Sequence, residues 1–476
     1  MNSTLVWFVV VYLGVSIALG LVAATRVHSA ADYITAGRRL PVYVVFAAVF
    51  ATWFGAETVL GISATFVREG LKGLVSDPFG ASLCLVLVGV FFARPLYRMS
   101  LLTIGDFYRQ RYDRPVELIA SICIAISYLG WVSAQVTALG LVFNVLSGDT
   151  LSREWGMVIG ASVVLIYTLF GGMWSVAVTT FVQMIVIVAG LLYIAWLVSD
   201  MAGGVAPVVS HALAEGKLEF WPRFNAVELI GFVAALVTMG LGSIPQQDVF
   251  QRVNSSKTER TAVYGTILGG LAYFAFAAVP LFLVYAATLI DPKMVASLIE
   301  KDSQLILPTF VMTHMPLTAQ VVFYGALLSV IMSTASGTLL APSVTIAENV
   351  LKGFIPISSD RQFLWMTRAV VVCFALVVTG YSIVSDATIH GMVENAYKVT
   401  LVAAFVPLAA GIYWRRATTQ GALAASLGGL ATWIAMEIAA PQAIMPAQFA
   451  GLLASIGGML VGSLLPQWYA RGRAHA

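Results

Sequence analysis

Charge is what this chain has least of. Only 10% of its 476 residues are charged, against 59% hydrophobic, and mean hydropathy is +0.90. A soluble globular chain of this length does not have that composition. The net charge of +3 is too small to suggest a nucleic-acid surface. The three cysteines, Cys84, Cys123 and Cys373, all fall in apolar stretches; they read as packing residues rather than a disulfide framework. His28, His211, His314, His390 and His475 are scattered without metal-ligand spacing. No glycine-rich phosphate loop opens a helix with Lys-Ser/Thr, so ATP is not expected to drive the protein directly. No nucleophile–base pattern stands out, and the chain does not read as an enzyme. Met1-Asn2-Ser3-Thr4 carries no basic residue ahead of the first apolar run, which therefore reads as a retained helix and not a cleaved signal.

Long apolar runs are there from end to end. About 13 reach the length of a membrane-crossing helix, near 5–25, 41–68, 76–97, 115–147, 154–171, 174–198, 226–245, 260–289, 316–350, 362–384, 388–414, 419–440 and 446–466. The fold class is an all-α polytopic membrane protein, one transmembrane domain over 1–470. Of the 26 basic residues, 18 lie in one set of loops, from Arg26 to Arg471 and Arg473, and 7 in the other, with Lys398 inside a span. The positive-inside rule places the N-terminus outside and the C-terminus in the cytoplasm. The connections are short, leaving no output domain for a sensor or receptor.

Trp53-Phe54-Gly55-Ala56-Glu57 interrupts the second run with small residues and a carboxylate. A carboxylate at bilayer depth faces a cavity, a partner or a pathway. Open backbone at that depth survives where it lines a site. Met239-Gly240-Leu241-Gly242-Ser243-Ile244-Pro245 interrupts the seventh run. Two ordinary kinks are the plainer reading. The breaks are five spans apart, however, and units of five helices face opposite ways in the membrane. This spacing predicts an inverted 5+5 repeat: 41–198 as the first half, 226–414 as the second, with 1–40 and 419–466 peripheral.

The ninth run contains Val330-Ile331-Met332-Ser333-Thr334-Ala335-Ser336-Gly337-Thr338, with four hydroxyls. Alone this is a helix-packing pattern. Beside a broken helix, Ser333 and Thr334 with a carbonyl near Val330 are placed to face carbonyls near Ala51 and Phe54, an all-oxygen cation site.

Here the chain resembles a family. The thirteen runs, DYITAGRRL, ATWFGAETVLG, YTLFGGMWSVAVTTFVQ and VIMSTASGTLL are together similar to the sodium:solute symporter family, across essentially the whole length. The resemblance implies a sodium ion held by Ala51, Phe54, Val330, Ser333 and Thr334. One departure is Thr180, where many members carry an aspartate. A hydroxyl holds a cation less well than a carboxylate, so one sodium per cycle is expected. ATWFG, LGWVSAQVTALG and GSIPQQDVFQR look most like the choline-transporter branch, which boxes a quaternary ammonium in aromatic rings. Trp53 and Trp131 match two box positions; Ala81 and Gln246 stand where rings would be expected.

The expected substrate contacts are therefore Trp53, Gly55, Glu57, Trp131, Gln135 and Gln246. Glu394 and Lys398 lie four apart on one helix face, read either as a buried ion pair or with Lys398 free for an anionic substrate or for Glu57. The expected function is sodium-coupled import of a small polar or zwitterionic solute across the cytoplasmic membrane. Proton coupling, a choline-like substrate, a transporter-like sensor and a channel are the alternatives. No protein partner is implied.

Overall fold

The computed structural model describes residues 3–468; Arg471, Arg473 and His475 lie outside the described residues. Among the described residues the regular structure is helical, apart from one isolated bridge between Leu40 and Ser256. Ten helices are long and apolar enough to cross a membrane, or eleven if one bent pair counts as a span. Thirteen runs were expected from the sequence. The difference arises where neighbouring runs join end to end.

Helix α1 covers Ser3–Ala24. Helix α2, Val42–Trp53, ends at Phe54, whose ψ of 72° leaves the helical region. The chain resumes as a π-helical turn, Glu57–Gly61, and then α3, Ile62–Glu69. A tight segment, Gly70–Leu74, leads on towards α4, Ala81–Leu87, so the expected runs 41–68 and 76–97 follow one another from Glu57 to Met99, with non-helical backbone at Gly70 (φ 67°) and Asp77 (φ −140°, ψ 122°). Helix α5 is Arg114–Leu146, capped by Asp113 with a proline in its first turn. Helix α6 runs 49 residues, Arg153–Met201, where two runs were expected. It is interrupted only at Gly172 (φ 51°, ψ −136°), a backbone state open to glycine and costly for other residues.

The second expected break is present. Helix α7, Ala226–Gly242, and α8, Gln247–Ser255, are bent by 46° across Ser243–Gln246. Helices α9 (Glu259–Ile290), α10 (Leu317–Thr345), α11 (Asp360–Val384) and α12 (Ile389–Thr400) follow, with α13 (Thr419–Ala439) and α14 (Ala447–Leu464) paired at the end.

The core sits around α10, every residue of which from Phe323 to Thr345 is buried. Helices α2, α5 and α6 pack against it. Small residues let backbones approach closely. A Cβ on Gly265 or Gly269 of α9 would lie 2.7 and 2.6 Å from Cγ1 of Val45 and Val49 on α2. Two glycines one turn apart thus seat two valines one turn apart, and hold the broken helix in place. Cys84 and Cys123 are buried and Cys373 is exposed; all three are free thiols.

Candidate functional site

The break after Trp53 lies against the hydroxyl-rich part of α10. The Ser333 Oγ is 2.8 Å from the Ala51 carbonyl and 2.9 Å from the Val330 carbonyl. The Thr334 Oγ1 lies 3.4 and 3.2 Å from the same two oxygens. All four residues are fully buried. Four oxygens from two helices therefore meet at one point, with no formal charge among them. Each hydroxyl has one proton to donate and lone pairs to spare. Rotating the two O–H bonds outward would present four oxygen ligands to a hard cation. Phe54, the fifth expected ligand, is the residue at which α2 lets go; its N–H still donates to Phe50 O at 2.9 Å. Thr180 is buried on α6 and its hydroxyl has no hydrogen-bond partner.

One turn further on, Glu57 is 2% exposed. Trp131 Nε1 donates to its Oε1 at 2.9 Å, and Gln135 Nε2 donates to its Oε2 at 2.7 Å. The Gln135 Oε1 in turn accepts from Ala56 N at 3.0 Å. Trp131 and Gln135, four apart on α5, thus bind the carboxylate and the opened backbone together. A Cβ at Gly55 would fall 2.3 Å from Glu57 Oε2 and push the carboxylate from its place. Trp53 packs edge-on to Trp131 (ring centroids 5.6 Å) and stacks on Tyr397 (6.2 Å). Tyr397 also meets Trp131 at 5.6 Å, and Tyr128 stacks on Trp131 at 6.0 Å. Gln246 sits at the second break, where its Nε2 donates to Ser127 Oγ at 3.0 Å and to Thr400 Oγ1 at 3.3 Å. The Thr400 hydroxyl donates to Gly242 O at 2.6 Å, filling one carbonyl released by that break. The structure therefore brings Trp53, Gly55, Glu57, Trp131 and Gln135 together, with Gln246 beside them through Ser127.

The expected Glu394–Lys398 pair does not form. Glu394 Oε2 faces His390 Nε2 at 3.9 Å, one turn towards the helix N-terminus. Helical side chains lean in that direction, which favours the earlier partner over the later one. Nor does Lys398 answer Glu57, whose hydrogen-bond partners are Trp131 and Gln135.

Sequence reasoning passed over several neighbours. Asp77 is 1% exposed and accepts a hydrogen bond from the Tyr273 hydroxyl, which also meets Thr58 Oγ1 at 3.3 Å. Asp248 is fully buried; Tyr128 OH donates to its Oδ1 at 2.5 Å, and Arg252 Nη1 lies 4.0 Å from its Oδ2. Arg252 also donates to Thr52 Oγ1 at 2.8 Å, tying the second break to the first. The rule that singled out Glu57, a carboxylate inside an apolar run, reaches Asp77 at the start of the run 76–97 but not Asp248, which follows the seventh run in the polar stretch Gln246-Gln247-Asp248. Tyr397 and Tyr128 carried no such signal. Near this cluster a cavity of about 260 Å³ is lined by Gly61, Arg68, Glu69, His390 and Glu394, among others.

The chain is similar to known proteins over most of its length. Residues 33–429 match the profile of the sodium:solute symporter family. The human high affinity choline transporter 1 is 27% identical over 416 residues, covering 83% of this chain and 69% of its own length. The high-affinity proline transporter PutP of Bacillus subtilis is 25% identical, covering 94% of this chain and 95% of its own. Among solved structures, a Na+-coupled sialic acid symporter in a substrate-bound outward-open state superposes with a TM-score of 0.82 at 19% identity, over 97% of this chain and 96% of that one. A nucleobase-cation-symport-1 family transporter in a closed conformation gives a TM-score of 0.61 at 15% identity, over 90% and 94%. At these identities the structural likeness speaks for the fold alone.

Proposed function

We propose, from the premise that this chain belongs to the sodium:solute symporter family and is a multi-pass membrane transporter rather than an enzyme, that it couples inward sodium movement to import of a small organic solute. Sodium is bound by Ala51, Phe54, Val330, Ser333 and Thr334. The solute binds next to it, against Trp53, Gly55, Glu57, Trp131 and Gln135, with Gln246 at the margin. The observation that carries this reading is the meeting of Ser333 Oγ with Ala51 O at 2.8 Å across two helices, one of them broken there.

The coupling follows from the position of Ala51. Its carbonyl is on the last turn before the break, and the substrate residues begin two positions later. An ion that bridges α2 to α10 orders that turn and so orders Trp53–Glu57 for the solute. An ion shifts a conformational equilibrium only by its differential affinity for the two states, and the two-helix ligand set supplies that difference when the helices part.

The finer architecture belongs to the same proposal. Dividing α6 at Gly172, and separating the run before Gly70 from the one after it, counts thirteen spans. The breaks then fall in the second and seventh, as an inverted 5+5 repeat requires. The basic-loop asymmetry puts the N-terminus outside and the C-terminus in the cytoplasm, and PutP of Bacillus subtilis suggests a bacterial cytoplasmic membrane.

The test is sodium-dependent stabilisation of the purified protein, followed by solute uptake into liposomes. Stabilisation by sodium over potassium, lost in the Ser333→Ala, Thr334→Ala double variant, is the expected result. Equal responses to the two ions would reject the assignment.

A further inference from the structure

Resting on the reading above, we infer that the solute is a protonated aliphatic amine that bears N–H donors and no carboxylate, held between Glu57 and Asp77 beneath the Tyr397 hydroxyl. Three observations support this choice, and each is independent of the sodium site.

The first is the charge inventory. Glu57 is held by two neutral donors, Trp131 and Gln135. Asp77 is held by one, Tyr273, and its Oδ2 is buried without a hydrogen-bond partner. Neither makes an ion pair with a lysine or arginine among the described residues. The two lie in one polar cluster, because the Tyr273 hydroxyl that bonds Asp77 also meets Thr58, the neighbour of Glu57, at 3.3 Å. Arg252, the buried guanidinium nearby, is already committed to Asp248 and Thr52. A buried charge is stable only when paired. A cationic solute supplies the pairing, whereas a solute carboxylate would add a third negative group beside Glu57 and Asp77.

The second is Tyr397. Its ring is fully buried in the aromatic cluster, yet its hydroxyl has no hydrogen-bond partner. Glu57, Asp77 and Asp248 all lie within electrostatic reach of it. An unpaired hydroxyl among carboxylates suits a ligand that can donate to all of them.

The third is what the rings do. Trp53, Trp131 and Tyr397 contact one another at centroid separations of 5.6–6.2 Å, closing one wall. Ala81 and Gln246 stand where further rings would be expected, and the Gln246 amide is spent on Ser127 and Thr400. A partial aromatic box beside buried carboxylates favours an N–H cation over a quaternary ammonium, which has nothing to donate. Arg68, Glu69, His390 and Glu394 line the neighbouring cavity of about 260 Å³. His390, on its wall, packs against Gly61 and interacts with Asp77.

Binding to the purified full-length protein is measured, with and without sodium, for four probes of similar size: butylamine, 1,4-diaminobutane, choline and 4-aminobutyrate. The expected result is binding of the two amines at least about thirtyfold tighter than 4-aminobutyrate or choline, the penalty of an unpaired buried charge or donor set. Glu57→Gln and Asp77→Asn are expected to erase that preference while the sodium response persists. Choline or 4-aminobutyrate binding as well as the amines overturns the proposal. So does failure of both amines in a wild-type protein that sodium still stabilises; that outcome leaves the symporter reading standing. Loss of the sodium response with amine binding intact sinks the coupling and keeps the amine. The four-probe comparison on wild type needs no variant to fold.

Discussion

Trp53 and Ser333 sit a few residues apart in space but serve different partners. In the proposed site Trp53 is a ring in the substrate wall, while its neighbour two positions earlier offers the ion a carbonyl. Trp53→Ala is therefore expected to weaken solute binding about tenfold or more, by loss of ring contact and desolvation, with the sodium half-saturation far less changed. Normal solute affinity in that variant removes Trp53 from the site. The Ser333→Ala, Thr334→Ala pair is the mirror image. Two lost oxygen ligands raise half-saturating sodium roughly tenfold, read from uptake at graded sodium. At Gly55 the issue is space: a methyl would collide with Glu57 Oε2 at 2.3 Å. Gly55→Ala is expected to abolish uptake in protein that still reaches the membrane.

Breaks, not helices, are the working elements here. Each is held by side chains from elsewhere. Gln135 reaches the Ala56 N–H at the first break, and Thr400 reaches the Gly242 carbonyl at the second. The first break must also be held laterally, and α9 does that through Gly265 and Gly269 against Val45 and Val49. Replacing either glycine by leucine forces the helices apart, an overpacking cost of about 1–3 kcal/mol. The expected readout is a lower thermal midpoint in detergent together with a weaker sodium response. A variant as stable and as sodium-sensitive as wild type would show that this seam does not support the break.

Transport belongs to the whole molecule, because the proposed ion site joins helices from distant parts of the chain, 282 positions apart at Ser333 and Ala51. Sodium that favours the outward-open state should widen access to the cavity lined by Thr65 and His390. Thr65→Cys is expected to label faster with an impermeant thiol reagent when sodium replaces potassium, against a background in which Cys84 and Cys123 are buried and the exposed Cys373 is replaced by serine. A labelling rate indifferent to sodium would separate this cavity from the transport path.

Much of this was legible in residue order. Composition alone determined a membrane-spanning helical protein, since apolar length and scarce charge admit little else. Gly and Pro marked both breaks, because the backbone itself is what they disturb. Paired hydroxyls marked the face of α10 that meets the Ala51 carbonyl at the first break. Only the tertiary structure decided who answers Glu57. Lys398 looked available by spacing, yet Trp131 and Gln135 on another helix hold the carboxylate, and Glu394 turns to His390. Tyr397 likewise became a wall of the site only when α12 was laid against α5. Local order reports what a backbone can do and what a side chain costs to bury; which distant group meets that cost is settled by packing between helices.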